Sequence, residues 1–138
     1  MLNNIPVELR ALPQWVCAGH DKIPINPRTG QAASVTDPAT WATFEEACRT
    51  GFAHIGFVLA PWDPFAIIDL DNKPYKPLTE EEWSRHQKIL TAFDSYTERS
   101  ASGRGYHIIV KGRLPSGVHR YNVEVYSSER YMICTGDV

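Results

Sequence analysis

FAIIDLDN, residues 65–72, is an apolar run into which two carboxylates, Asp69 and Asp71, are set one residue apart. Successive side chains of a strand alternate between the two faces of its sheet. Asp69 and Asp71 therefore share one face, and Ile68 and Leu70 take the other. Two like charges a few ångströms apart repel, and burial adds a desolvation cost. A cation held between them relieves both, and carboxylates with water and phosphate oxygens are the preferred ligands of Mg2+. Asp71-Asn72 alone is equally ordinary turn chemistry at a strand end.

Two later segments bear on that choice. In NVEVY (122–126) the valines share one face and Glu124 takes the other, so a third acid sits within an apolar strand. A single acid of this kind is often a solvated surface residue, but three on two strands of one sheet match the donor set of a two-metal site. SASGRGYH (100–107) is a small-residue loop running into a strand. Gly103 and Gly105 let backbone N–H groups approach a phosphate closely, Ser100 and Ser102 add donors, and Arg104 adds charge. His107 faces opposite to Ile108 and Val110 and can donate to a phosphate oxygen. The loop lacks the Gly-Lys-Ser/Thr ending of a P-loop. Taken singly, a Gly-rich loop is also a common turn, and a lone His is commonly structural.

The remaining elements follow from punctuation and period. Residues 1–13 read as a lead-in with a helical turn, 14–19 as a strand, and 22–30 as a Pro-interrupted edge strand ending in a Thr29-Gly30 turn. Asp37-Pro38 has the form of a helix start. Thr43 with Glu46 forms a capping box for a helix over 42–50 that stops at Gly51. Strands are expected at 55–60 and 65–71, and the short PWDP connection predicts that they pair as a hairpin. Thr79 and Glu82 cap a helix over 80–93, with Trp83, His86, Ile89, Leu90 and Phe93 as one buried stripe. SYTERSASGRG (95–105) and LPSGVHR (114–120) read as loops around the strand YHIIVKG, and 123–127 and 131–136 as two more strands. This ordering predicts an α+β domain with a mainly antiparallel sheet.

The length, 138 residues, suits one domain. The net charge of −2 neither requires nor excludes a nucleic-acid partner. Its distribution is uneven: Arg99, Arg104, Lys111, Arg113 and Arg120 fall in a stretch with no acid between Glu98 and Glu124. Such a strip can track phosphates or be a solvated cationic surface. The three cysteines, Cys17, Cys48 and Cys134, are widely spaced with no Cys-x-x-Cys pair. That excludes a zinc ribbon and fits reduced thiols. With no signal peptide or membrane-length apolar run, a cytoplasmic protein without membrane partners is expected.

The ordered set of hydrophobic-Asp-hydrophobic-Asp, a Ser/Gly loop leading to a strand histidine, and an acid on a later strand resembles the archaeo-eukaryotic primase superfamily. The likeness is to its primase-polymerase branch, found in phages and plasmids. LPQWV, KIPINPRTG, ASVTDPATW, IGFVL, YTERSASGRGYHIIVKG and VEVYSSERYMICTG are similar in type and order to that branch, so the resemblance covers nearly the whole chain. It implies an RRM-like, mainly antiparallel catalytic sheet packed with a small α/β unit and helices, the nucleotide lying between them. It implies template-directed transfer of dNTPs or NTPs to a primer 3′-hydroxyl, with two Mg2+ or Mn2+ ions held by Asp69, Asp71 and Glu124. By the same resemblance Ser102, Gly103, Arg104, Gly105 and His107 contact the triphosphate, Arg130 is a further nucleotide ligand, and Lys22 is a ligand of nucleotide or template or else an ordinary exposed lysine. The template is single-stranded or primed DNA, with Tyr106 available for stacking, and a replicative helicase is an implied partner. Departures are Gly105, where Ser is frequent, and Ala101, where Pro is frequent. The helical and helicase parts that usually follow lie outside this sequence, so residues 1–138 read as a truncated or minimal catalytic core. The alternative is a catalytically idle nucleotide- or single-stranded-DNA-binding module of the same fold. A rolling-circle nuclease is disfavoured because Ile109 stands where its second metal-binding His would be. An RNA-binding RRM is disfavoured because acids would replace its exposed aromatics.

Overall fold

A computed structural model describes residues 1–112, 117–120 and 122–138, with residues 118–120 as backbone alone. Among the described residues three helices, α1 (Val7–Arg10), α2 (Phe44–Cys48) and α3 (Glu80–Ala92), accompany nine strands. The strands are β1 (Trp15–Ala18), β2 (Pro24–Ile25), β3 (His54–Leu59), β4 (Phe65–Leu70), β5 (Thr97–Arg99), β6 (Tyr106–Lys111), β7 (Val118–Arg120), β8 (Val123–Tyr126) and β9 (Arg130–Cys134). They form two antiparallel sheets, ordered β2-β1-β3-β9 and β5-β6-β4-β8-β7. The α+β class with antiparallel pairing follows, but in two sheets rather than one.

Alternation along the strands explains the layering. Trp15, Phe57, Leu59 and Met132 of the first sheet pack with Phe65, Ile67 and Ile109 of the second in the main core. Trp15, fully buried, meets Phe44 and Phe57 edge-on at centroid distances of 5.0 and 5.4 Å. The outer face of the first sheet buries Val16 and Val58 under Trp41. The outer face of the second buries Ile68, Leu70 and Ile108, with Ile89 and Leu90 of α3 packed against them.

The capping boxes form as read. Thr43 accepts from the Glu46 N–H at 3.1 Å while the Glu46 carboxylate accepts from the Thr43 N–H at 3.2 Å, and Thr79 and Glu82 exchange the same pair at 3.2 and 3.0 Å. Asp37-Pro38 starts only a 3-10 turn, Pro38–Thr40, with Asp37 accepting from the Ala39 N–H.

Several expectations are corrected. The strands β3 and β4 do not form a hairpin: β3 pairs with β1 and β9, and β4 with β6 and β8, so the turn between them carries the chain from one sheet to the other. Pro61 and Pro64 lack the N–H groups a hairpin ladder needs. The buried Asp63 carboxylate closes the turn instead, accepting from the N–H groups of Ala60 and Phe65 and from Gln14 at 2.7, 2.9 and 2.9 Å. The α3 stripe is only partly buried. His86 is covered and Ile89 and Leu90 half so, while Trp83 is 57% exposed and Phe93 40%, because one turn in the middle of the helix carries the contact. Finally, Thr97–Arg99 and Val118–Arg120, expected as loop, are the edge strands β5 and β7. Three polar-rich residues are too few to display a period of two.

Candidate functional site

In antiparallel pairs, directly opposed residues share a face with their Cβ atoms about 4.5–5.5 Å apart. Asp69 is opposed by His107 on one side and by Glu124 on the other, and His107 in turn by Glu98. One row of ionisable residues therefore crosses β5, β6, β4 and β8. Phe65, Ile67 and Ile109 lie on the same side in the core between the sheets, so the row borders that core. Asp71, just past the end of β4, keeps the parity of Asp69, and its N–H donates to the Asn122 carbonyl.

The row opens into a cleft of about 350 Å3 lined by both sheets. Asp69, Asp71, His107 and Glu124 enter it from the second sheet, and Arg130 from β9 of the first. Lys22 and Ser102 enter from loops. Lys22 takes a left-handed conformation (φ 62°), and its carbonyl accepts a hydrogen bond from the Tyr131 hydroxyl. Gly103, Arg104 and Gly105 are not among the cleft-lining residues. Arg104 is exposed and donates through Nε to the Asn72 carbonyl at 3.0 Å. Gly105 packs so tightly on Leu70 that a Cβ there would collide with the Leu70 carbonyl oxygen, which gives a physical reason for glycine at this position.

The electrostatics of the row are uneven. Burial pushes the Asp69 carboxyl up, His107 opposes that, and the neighbouring carboxylates of Asp71 and Glu124 reinforce it. Asp69 Oδ1 lies 3.7 Å from His107 Nε2, and Asp71 Oδ2 lies 3.8 Å from Lys73 Nζ. The Tyr126 hydroxyl donates to Glu124 Oε2 at 2.6 Å, and burial together with that bond pushes the phenol up to about 12. The Arg130 guanidinium sits over the Tyr126 ring, 4.3 Å from its centroid. Oxygen donors on one face, with one carboxyl raised by burial and by its like-charged neighbours, suit a hard divalent cation. As they stand, however, no three His, Cys, Asp or Glu side chains among the described residues are gathered closely enough to hold an ion.

Two participants escaped the sequence reading. Tyr126 shares parity with Glu124, so alternation alone places it on the cleft face. Glu98 was hidden because 95–105 reads as loop; a hairpin register across SASGRG would have set it opposite His107. Of the basic strip, Arg99 and Arg104 are exposed. Lys111 pairs with Glu8 at 3.1 Å, Arg113 lies outside the described residues, and only the backbone of Arg120 is described. Tyr106 packs against Ile68, Leu70 and Ile108 on the face opposite to His107, which removes it as a stacking platform in the cleft.

No protein-family model matches the chain. Among the described residues no helix is long and apolar enough to cross a membrane. The whole chain is 41% identical, over 159 aligned positions, to a DNA primase-polymerase of Nitratiruptor phage NrS-1, and it spans 21% of that relative's length. Matched from end to end at this identity, the chain belongs to the primase-polymerase family.

Proposed function

We propose that residues 1–138 are the catalytic core of a template-directed DNA primase-polymerase serving phage or plasmid replication. The observation that carries this reading is the row His107–Asp69–Glu124 on three adjacent strands, facing a cleft that cations also line. In this reading the second sheet with α3 on its outer face is an RRM-like catalytic unit, and the nucleotide lies between it and the first sheet. Asp69, Asp71 and Glu124 would hold Mg2+ or Mn2+, two ions in all, which when bound would neutralise charge at the reacting phosphate and activate the primer hydroxyl. Glu124, whose Oε2 accepts from the Tyr126 hydroxyl, would be the third carboxylate of that set. His107 presents Nε2 to the triphosphate, and Lys22, Arg130 and the Ser102 hydroxyl add charge and donors along the cleft. These side chains bind and orient, and little covalent chemistry is asked of the protein. The substrates are a primed or single-stranded DNA template and dNTPs or NTPs, with a replicative helicase as partner.

Primer extension with and without divalent metal tests the reading. Incorporation of dNTPs is expected only with Mg2+ or Mn2+, and Asp69→Ala or Glu124→Ala is expected to abolish it. Full activity in both variants overturns the assignment, and an unprimed template separates priming from extension. The ungathered acids favour a second reading, a nucleotide- or single-stranded-DNA-binding module without catalysis. Binding of dNTP by the wild type without metal-dependent incorporation selects it.

A further inference from the structure

Glu98 is the most deeply buried carboxylate among the described residues, with 1% of its surface exposed, yet it lies next to an open cleft. Three of the groups bonded to it donate. Oε1 accepts from the Tyr96 hydroxyl at 2.9 Å and the Gly136 N–H at 3.2 Å, and Oε2 accepts from the Thr135 N–H at 2.9 Å. The remaining partner of Oε2 is Nδ1 of His107, at 3.2 Å. Burial raises the carboxyl, but the bonds from His107, Thr135 and Tyr96 outweigh it, and the group is held below its ordinary range. An ionised carboxylate can only accept. His107 Nδ1 must therefore carry a proton, and the ring's other nitrogen, Nε2, points to the cleft and Asp69.

We propose that Glu98 is a positioning residue for His107: it fixes the imidazole with Nδ1–H bound inward, so that Nε2 is the nitrogen offered to a nucleotide triphosphate. The partner of one ring nitrogen sets the state of the other, which is how second partners orient functional histidines. Glu98 is itself immobilised from the opposite sheet. Thr135 and Gly136 follow β9 of the first sheet, whereas Glu98 belongs to the edge strand of the second. The orientation of the imidazole is thus referred to both walls of the cleft. The nucleotide part of this inference rests on the proposed function; the tautomer part does not.

Imidazole 15N–1H correlation spectra of the wild-type chain above neutral pH, without nucleotide, are the primary test. A proton on His107 Nδ1 is expected, and an unprotonated Nδ1 overturns the proposal. Glu98→Met removes the acceptor while keeping an unbranched side chain. It is expected to lower the Nδ1–H population and to raise KM for the triphosphate about tenfold, the worth of one hydrogen bond, with a smaller change in kcat. Tyr96→Phe removes a different bond to the same carboxylate and is expected to move neither. If E98M loses stability but keeps both the tautomer and KM, Glu98 is only a fastening between the sheets and the proposal falls. Should E98M fail to fold, the wild-type spectrum decides alone. If the wild type binds no triphosphate, the proposed function fails while the tautomer result still judges Glu98.

Discussion

Glu98 and Asp69 face the same imidazole from opposite sides and belong to one row of one sheet, but they live in opposite environments. At the edge end, Glu98 is sealed from water and surrounded by donors, and its carboxyl is held down. At the centre, Asp69 keeps a third of its side chain exposed, borders two more carboxylates, and is pushed up by burial and by those neighbours. Burial alone therefore does not set the sign; the number of donors does. A carboxylate satisfied by the protein is a fastening. One left short of donors carries a desolvation cost.

The contrast can be broken by substitution. The largest expected effect is that of Glu98→Met, which strands two backbone N–H groups and a phenol in the interior and should cost about 3–5 kcal/mol in urea unfolding. A smaller loss, about 1–3 kcal/mol, is expected for Gly105→Ser, because the new Cβ must displace the Leu70 carbonyl at the end of β4. That displacement also moves Asp71, so metal-dependent activity should fall further than stability does. Asp69→Asn should do the reverse of E98M: raise the melting temperature by roughly a few degrees in metal-free buffer while reducing incorporation about 10²–10³-fold or more. A melting temperature unchanged or lowered in D69N would show that the Asp69 carboxylate bears no cost in metal-free buffer.

The smallest effect is in the pH profile, and its sign differs at the two ends. With a raised carboxyl, the folded chain binds its Asp69 proton more tightly than the unfolded chain does. That contribution is complete below the ordinary carboxylate range and is lost as pH rises through the raised value. Glu98, held low, contributes above the ordinary range and loses its contribution as pH falls through its depressed value. Urea midpoints measured against pH should therefore decline less on the rising side in D69N than in the wild type, and less on the acid side in E98M.

Local rules carried much of the structure. Both capping boxes needed only a Thr and a Glu three residues apart, and both formed. The central strands β4, β6 and β8 were readable because apolar residues alternate with Asp69, His107 and Glu124 over enough positions to show the period. The edge strands β5 and β7 were not, since three polar-rich residues gain strand geometry from a neighbour's hydrogen bonds rather than from their own pattern. The mistaken hairpin has the same origin. A short connection between two apolar runs says how far the chain can travel, and cannot say that β1, β9, β6 and β8 have already taken all the available edges.

The order of residues by itself determined that Asp69 and Asp71 share a face, that Glu124 and His107 point away from their apolar neighbours, and that Thr43 and Thr79 start helices. Each of these is set within a few residues by backbone geometry. Only the tertiary structure decided that Asp69 stands between His107 and Glu124, that two sheets open a cleft beside them, and that Glu98 grips the far side of the imidazole. Those relations join segments from residue 22 to residue 136, and no local pattern encodes them because strand pairing is chosen by the burial of whole faces against one another.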